Sequence, residues 1–229
     1  MDDQRPCRRV FILSGGELGP PGRLREALAE TPAAVICADG GARHLAATGF
    51  TPTLIVGDMD SLARGMQEGY RQGGCRIVAH PGRKDETDTE LALQEAFALD
   101  PGEIWIWAAL GGRVDHALAN ISLLWQGIQR GVAMKLVDGW CEVFLITKAT
   151  VIAGGRGQTV SLLPFAGEVR GVTLSGFEYP LCDAVMAPGS PYGVSNRLAG
   201  ERGEVTLSSG CLLAVRYFQP GVFPGEERG

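Results

Sequence analysis

AAVICADGGARHLAATG (33–49) runs from an unbroken apolar segment through Asp-Gly-Gly into a helix-compatible one, and TLIVGDMDS (53–61) then opens on a second apolar run that ends in two aspartates. Apolar runs that do not alternate with polar residues mark strands buried on both faces, as in a parallel sheet covered by helices. The same unit recurs on both sides. VFIL (10–13) precedes GRLREALAE (22–30), and a polar helical stretch from Ala63 to Gln72 leads to RIVA (76–79). DTELALQEAFAL (88–99) follows, then IWIWAAL (104–110), DHALANISLLWQGIQR (115–130) and AMKLV (133–137). Strand–helix alternation of this kind predicts an α/β domain with a largely parallel sheet over residues 1–147.

The pattern changes near Thr147–Thr150. TVSLLPF (159–165), EVRGVTLSG (168–176), EVTLSSG (204–210) and CLLAVRYF (211–218) are short, rich in β-formers and punctuated by glycine. They predict an antiparallel β-sandwich or barrel over residues 148–229, with a frayed tail at 220–229.

Composition narrows the function. With 229 residues, 45% hydrophobic and 21% charged, the chain has room for one large or two modest domains and is not a disordered one. Its net charge of −5 argues against a general nucleic-acid binder, which needs a basic face. The six cysteines form no CxxC pair and the three histidines are scattered, which disfavours a zinc site or a disulfide framework. Neither a signal-peptide apolar core nor a run approaching the ~18 residues of a membrane span is present, so the protein reads as cytoplasmic, with no membrane partner.

Position, more than number, makes the acidic residues informative. Asp39, Asp58, Asp60, Asp85, Asp88 and Asp115 all fall at predicted strand ends or in the loops and helix starts that follow. In an open parallel sheet those loops share one edge, where ligands bind. Carboxylates gathered there repel one another unless a cation neutralises them, and an all-oxygen donor set suits Mg²⁺ bridging to phosphates. Asp58 and Asp60, if the chain stays extended, point the same way with Cα atoms ~6.6 Å apart; a simple turn is the competing reading. In GRKDETDTELAL (82–93), Thr87 followed by Glu90 predicts a helix cap, with Asp88 in the first turn. Arg83, Lys84 and Asp85 just before it suggest a phosphate–metal site. In AALGGRVDHALAN (108–120), Gly111 and Gly112 would let backbone N–H groups approach a phosphate. Arg113 would contact it, Asp115 would cap the helix or hold a ribose or Arg113, and His116 and Asn120 lie within two turns. CADGGA repeats the strand–Asp–Gly–Gly logic at Asp39, Gly40 and Gly41.

Taken together, CADGGA (37–42), GDMDS (57–61), KDETDTE (84–90) and GGRVDHALAN (111–120) resemble the ordered motifs of the thiamine pyrophosphokinases, and GFEYPL (176–181) and YGVSNRL (192–198) resemble that family's thiamine-binding domain. The resemblance implies transfer of pyrophosphate from ATP to the hydroxyl of thiamine, giving thiamine diphosphate and AMP with Mg²⁺. It also implies a homodimer with active sites near the subunit interface. Carried over, Asp58, Asp60, Thr87 and Asp88 fall on metal and phosphate positions, with Asp58, Asp60 and Asp88 as the metal ligands. Asp39, Arg113 and Asp115 fall on positions associated with ATP or the reacting end of thiamine, and Ser195 and Asn196 match the thiamine pocket. A stacking Trp that some relatives carry is missing from CLLAVRY (211–217), so Tyr192 or an aromatic from elsewhere would substitute. Asp85 or Asp115 is the expected proton acceptor. Pyrophosphorylation of another alcohol such as a hydroxymethylpterin, a nucleotide-sugar glycosyltransferase, and a non-catalytic nucleotide-binding scaffold are the competing readings.

Overall fold

The computed structural model describes residues 8–46, 48–81 and 85–225, and the chain divides into two compact units, Met1–Gly139 and Trp140–Gly229. The first contains β1 (Arg9–Leu13), α1 (Gly22–Ala29), β2 (Ala34–Ala38), a 3-10 helix (Asp39–Leu45), β3 (Leu54–Gly57) and α2 (Arg64–Gln72). β4 (Arg76–Ala79), α3 (Asp88–Phe97), β5 (Glu103–Trp107), α4 (Val114–Arg130) and β6 (Ala133–Val137) complete it. Its strands lie in the order β6-β5-β1-β2-β3-β4 and every pair is parallel. After Arg9, the central strands β1 and β2 are apolar because both faces are covered: Val10 to Leu13 and Ala34 to Ala38 are all buried. On one face α3 packs across β1, β2 and β3, while α4 packs against β6. At the sheet edge the demand relaxes, and β4 is only partly buried.

Helical periodicity suggested a helix from Ala42 to Gly49. Instead the helix begins at once after β2, at Asp39, and is a tight 3-10 turn. Asp39 takes a left-handed backbone with φ +38°, which turns the chain out of the strand within one residue.

The second unit holds β7 (Cys141–Ile146), β8 (Thr150–Ala153), β9 (Thr159–Pro164), β10 (Val169–Ser175), β11 (Leu181–Met186), β12 (Asn196–Arg197), β13 (Arg202–Thr206) and β14 (Leu212–Tyr217). Its antiparallel strands run in the orders β12-β9-β14-β7 and β11-β10-β13-β8. Between them lies an apolar core that includes Ile146, Val160, Leu162, Val172, Leu174, Val205 and Leu212. The division between the units falls at Gly139–Trp140, ahead of the composition change near residue 148, because β7 pairs along its whole length with β14. Cys37, Cys75, Cys141, Cys182 and Cys211 are free thiols. Among the described residues no helix is long and apolar enough to cross a membrane.

Candidate active site

From β1 the chain steps outward through β2, β3 and β4, then returns to place β5 on the other flank of β1. Strand order therefore reverses between β1 and β5, and the loops beyond their carboxyl ends diverge to leave a crevice. A cavity of about 570 Å³ lies there, within the range of ligand sites. Its wall takes Ser14 to Glu17 after β1, Asp39, Gly40 and Arg43 after β2, and Asp58 and Ser61 after β3. Glu86 to Thr89, Gly111 to Arg113, His116 and Asn120 close the remainder.

Three carboxylates converge at this crevice. Oxygens of Asp39, Asp58 and Asp60 all lie within 4.8 Å of one another. The chain between Asp58 and Asp60 is not extended: Met59 has φ +64°, and the Asp60 N–H donates to Asp58 Oδ1 at 3.2 Å. The turn and the shared site are thus one feature, since the turn brings both carboxylates beside Asp39. Gly57 permits the approach, as a Cβ there would stand 2.6 Å from the Asp39 Cβ. The Ser61 N–H donates to Asp39 Oδ2 at 3.3 Å and the Ser61 hydroxyl donates to Asp60 Oδ1 at 2.8 Å. Asp39 is 4% exposed, and its Oδ1 has no hydrogen-bond partner. Burial raises its pKa, the two Ser61 contacts oppose that, and the charges of Asp58 and Asp88 add to it. An orphaned buried carboxylate oxygen in an all-oxygen cluster fits a hard divalent cation such as Mg²⁺. Asp88, expected beside Asp58 and Asp60, is not in this group; it lines the same cavity from the first turn of α3.

The other expected residues divide. Thr87 caps α3, its Oγ1 accepting from the Glu90 N–H at 3.2 Å, and the first turn is tied to the loop after β1 by a 2.9 Å bond between the Ser14 and Thr89 hydroxyls. Arg113 lines the cavity while its guanidinium donates to both Asp115 oxygens, at 3.1 and 2.5 Å. That pairing holds the Asp115 carboxyl down at about 2, so Asp115 is a poor proton acceptor, and it does not cap α4. Asp85 is exposed and, like Asp60, is not part of the cavity wall. Asn120 is buried and donates to the Ala109 carbonyl at 2.9 Å, fixing α4 to the loop after β5. Gly41 does not face the cavity; it is a glycine because a Cβ would collide with the Leu13 carbonyl. Arg83 and Lys84 lie outside the described residues.

Sequence reading passed over Ser14, Gly15, Gly16, Glu17, Arg43 and Ser61. For the loop after β1 a signal was available: VFILSGGE (10–17) is a second strand ending in polar residue, glycine, glycine, as CADGGA is.

In the second unit, Tyr192 is 62% exposed and Ser195 is exposed with φ +61°. Its N–H donates to Ser161 Oγ at 3.0 Å. Asn196 is buried, and its side chain serves the backbone: Oδ1 accepts from the N–H groups of Tyr179 and Arg197, and Nδ2 donates to the Tyr179 carbonyl. These bonds clasp the Gly176–Tyr179 turn to the Tyr192–Asn196 loop.

Comparison with known proteins agrees with this division. Residues 26–136 match the family model for the thiamin pyrophosphokinase catalytic domain, and residues 148–212 match that for the thiamin pyrophosphokinase vitamin B1 binding domain. A thiamine pyrophosphokinase of Bacillus subtilis is 30% identical over 180 residues, covering 78% of this chain and 84% of that protein. One from Oryza sativa is 25% identical, covering 79% and 77%. The crystal structure of the Bacillus subtilis enzyme superposes with a TM-score of 0.83 at 28% identity, over 92% of this chain and 99% of that one. The structure from Geobacillus thermodenitrificans gives 0.81 at 27%, over 94% and 100%. Two domain matches in family order, and a relative at this identity along most of both lengths, make the chain a member of the thiamine pyrophosphokinase family.

Proposed function

We propose that this chain transfers the pyrophosphoryl group of ATP to the primary hydroxyl of thiamine, giving thiamine diphosphate and AMP. The observation that carries the reading is the carboxylate trio of Asp39, Asp58 and Asp60, of which Asp39 and Asp58 line a glycine-rich cavity, on a chain of this family. Mg²⁺, when bound there, would offset charge on the phosphates. Asp39, Asp58 and Asp60 would hold it, with Asp88 facing the same space. Gly40, Gly111 and Gly112 leave backbone within reach of the triphosphate, and Arg43 and Arg113 add positive charge to the wall. The hydroxyl would attack the β-phosphorus in line with AMP as leaving group, so the chain's contribution is positioning and fixed charge.

For thiamine we assign the loop that carries Tyr192 and Ser195, with Asn196 holding that loop in shape. We further infer a homodimer: α4 exposes Val114, Leu118, Trp125 and Ile128 along one stripe, and a second copy would cover it. Sedimentation of the wild type and of Leu118→Glu tests that. The free thiols fit a reducing, cytoplasmic setting. Product analysis with ATP, Mg²⁺ and thiamine tests the reaction. AMP with thiamine diphosphate is expected; ADP with thiamine monophosphate would make the protein a simple kinase.

A further inference from the structure

Two side chains of the 3-10 helix reach across to the loop after β1. Arg43 Nη2 donates to the Gly15 carbonyl at 2.5 Å and to the Gly16 carbonyl at 3.0 Å. His44 Nε2 lies 2.9 Å from the same Gly16 oxygen. Burial, and then the adjacent Arg43 charge, lower the His44 pKa, while the backbone contacts with Gly16 and Ser14 oppose that. A carbonyl can only accept, so in this contact Nε2 carries a proton and donates it to the Gly16 oxygen.

The loop these residues hold has little freedom of its own. The Gly16 N–H donates to the Ala108 carbonyl at 3.0 Å, and a Cβ on Gly16 would stand 2.5 Å from the Ala108 oxygen and 2.7 Å from the Gly111 oxygen. Both ends of the Gly15–Gly16 peptide are therefore fixed. The Gly16–Glu17 peptide is fixed only at its oxygen, by Arg43 and His44. No described peptide is cis, so the Glu17 N–H points opposite to that oxygen. Glu17 lines the cavity, and no acceptor among the described residues takes its N–H.

We propose that His44, which is not on the cavity wall, is a positioning residue for the nucleotide: by holding the Gly16 carbonyl it aims the Glu17 N–H at a phosphate oxygen. The proposal rests on ATP occupying this cavity. It gives His44 an effect on nucleotide affinity without contact to either substrate.

The test compares His44→Gln with His44→Met. The two side chains are close in size, but only Gln carries a terminal N–H donor. Titration calorimetry with ATP and Mg²⁺, KM for ATP and for thiamine, and amide exchange of the 14–18 segment are measured on the full chain. Loss of one neutral hydrogen bond predicts ATP binding about 3- to 10-fold weaker in the Met variant. Its KM for thiamine stays unchanged and exchange of the segment is faster. In the Gln variant ATP affinity returns to within about two-fold of wild type. If the Met variant does not fold, His44→Asn replaces it, since its amide falls one methylene short. A folded His44→Met, or His44→Asn in its place, that binds ATP as wild type does, with unchanged exchange, overturns the proposal alone. A wild-type chain that binds no ATP overturns the proposed function and this inference together.

Discussion

Replacing Asp39 by Asn removes one charge from the carboxylate trio while keeping the side chain's volume and its ability to accept from the Ser61 N–H. The oxygens lie within 4.8 Å, so each charged pair repels by at least ~0.9 kcal/mol in water-like surroundings and ~3.5 kcal/mol at an effective dielectric of 20. Asp39 is buried but Asp60 is exposed and Asp58 half-exposed, which puts the true figure between those limits. Two of the three pairs disappear, relieving about 2–5 kcal/mol, and weakening of the charge-assisted Ser61 bond returns about 1 kcal/mol. The metal-free variant should therefore be more stable by about 1–4 kcal/mol, or roughly 3–12 °C in melting temperature.

The pH dependence follows from the same site. Asp39 binds its proton more tightly folded than unfolded, so metal-free wild type loses stability as pH rises from about 3.8 through the raised folded value. The Asn variant should lack that slope. Thermal melts in EDTA and in Mg²⁺ check both points: Mg²⁺ should raise the wild-type midpoint by linkage and the variant's much less. An Asn variant that melts below wild type in EDTA and keeps the full Mg²⁺ shift would falsify the assignment of Asp39 to the cation site.

Asp58→Asn and Asp60→Asn should each lower turnover by at least ~10²-fold at subsaturating Mg²⁺ with the fold intact; wild-type rates in both would remove the pair from the site. Asn196→Ala loses three hydrogen bonds to backbone and should cost about 2–4 kcal/mol in denaturant melts, with a raised KM for thiamine. Asp115, held at about 2 by Arg113, stays ionised throughout the working range. Asp115→Asn should therefore leave both limbs of the pH–rate profile between pH 5 and 9 where they are, and a lost limb would restore Asp115 as a proton acceptor.

What the sequence made legible was whatever local order fixes. Non-alternating strands such as VICA imposed burial on both faces, and Thr87 with Glu90 located the start of α3 to the residue. The strand-end aspartates pointed to one sheet edge because topology brings those edges together. Side-chain direction is different, since it depends on backbone torsions that spacing does not reveal. An extended Asp58–Asp60 segment and the observed turn have the same sequence, and only the left-handed Met59 separates them. Gly40 and Gly41 are adjacent and identical, yet one lines the cavity and the other lies against Leu13. Asn196 stood out by its match to the family's thiamine-pocket motif, and a motif does not show that its side chain also bonds the backbone of a turn 17 residues away.

The charge balance of the cavity wall has a mechanistic consequence. Glu17, Asp39, Asp58, Glu86 and Asp88 face it, against Arg43 and Arg113 among the described cations. Both arginines are already engaged, Arg43 with two loop carbonyls and Arg113 with Asp115. A polyanionic triphosphate entering this wall alone would meet more negative charge than positive, and the paired arginines could turn to it only by giving up bonds that shape the site. Cation binding by the trio reverses that balance. Nucleotide and divalent ion should therefore strengthen one another's binding by the same factor, as linkage requires. On the proposed reading, the buried Asp39 oxygen that no protein group satisfies is the acceptor through which that coupling would run.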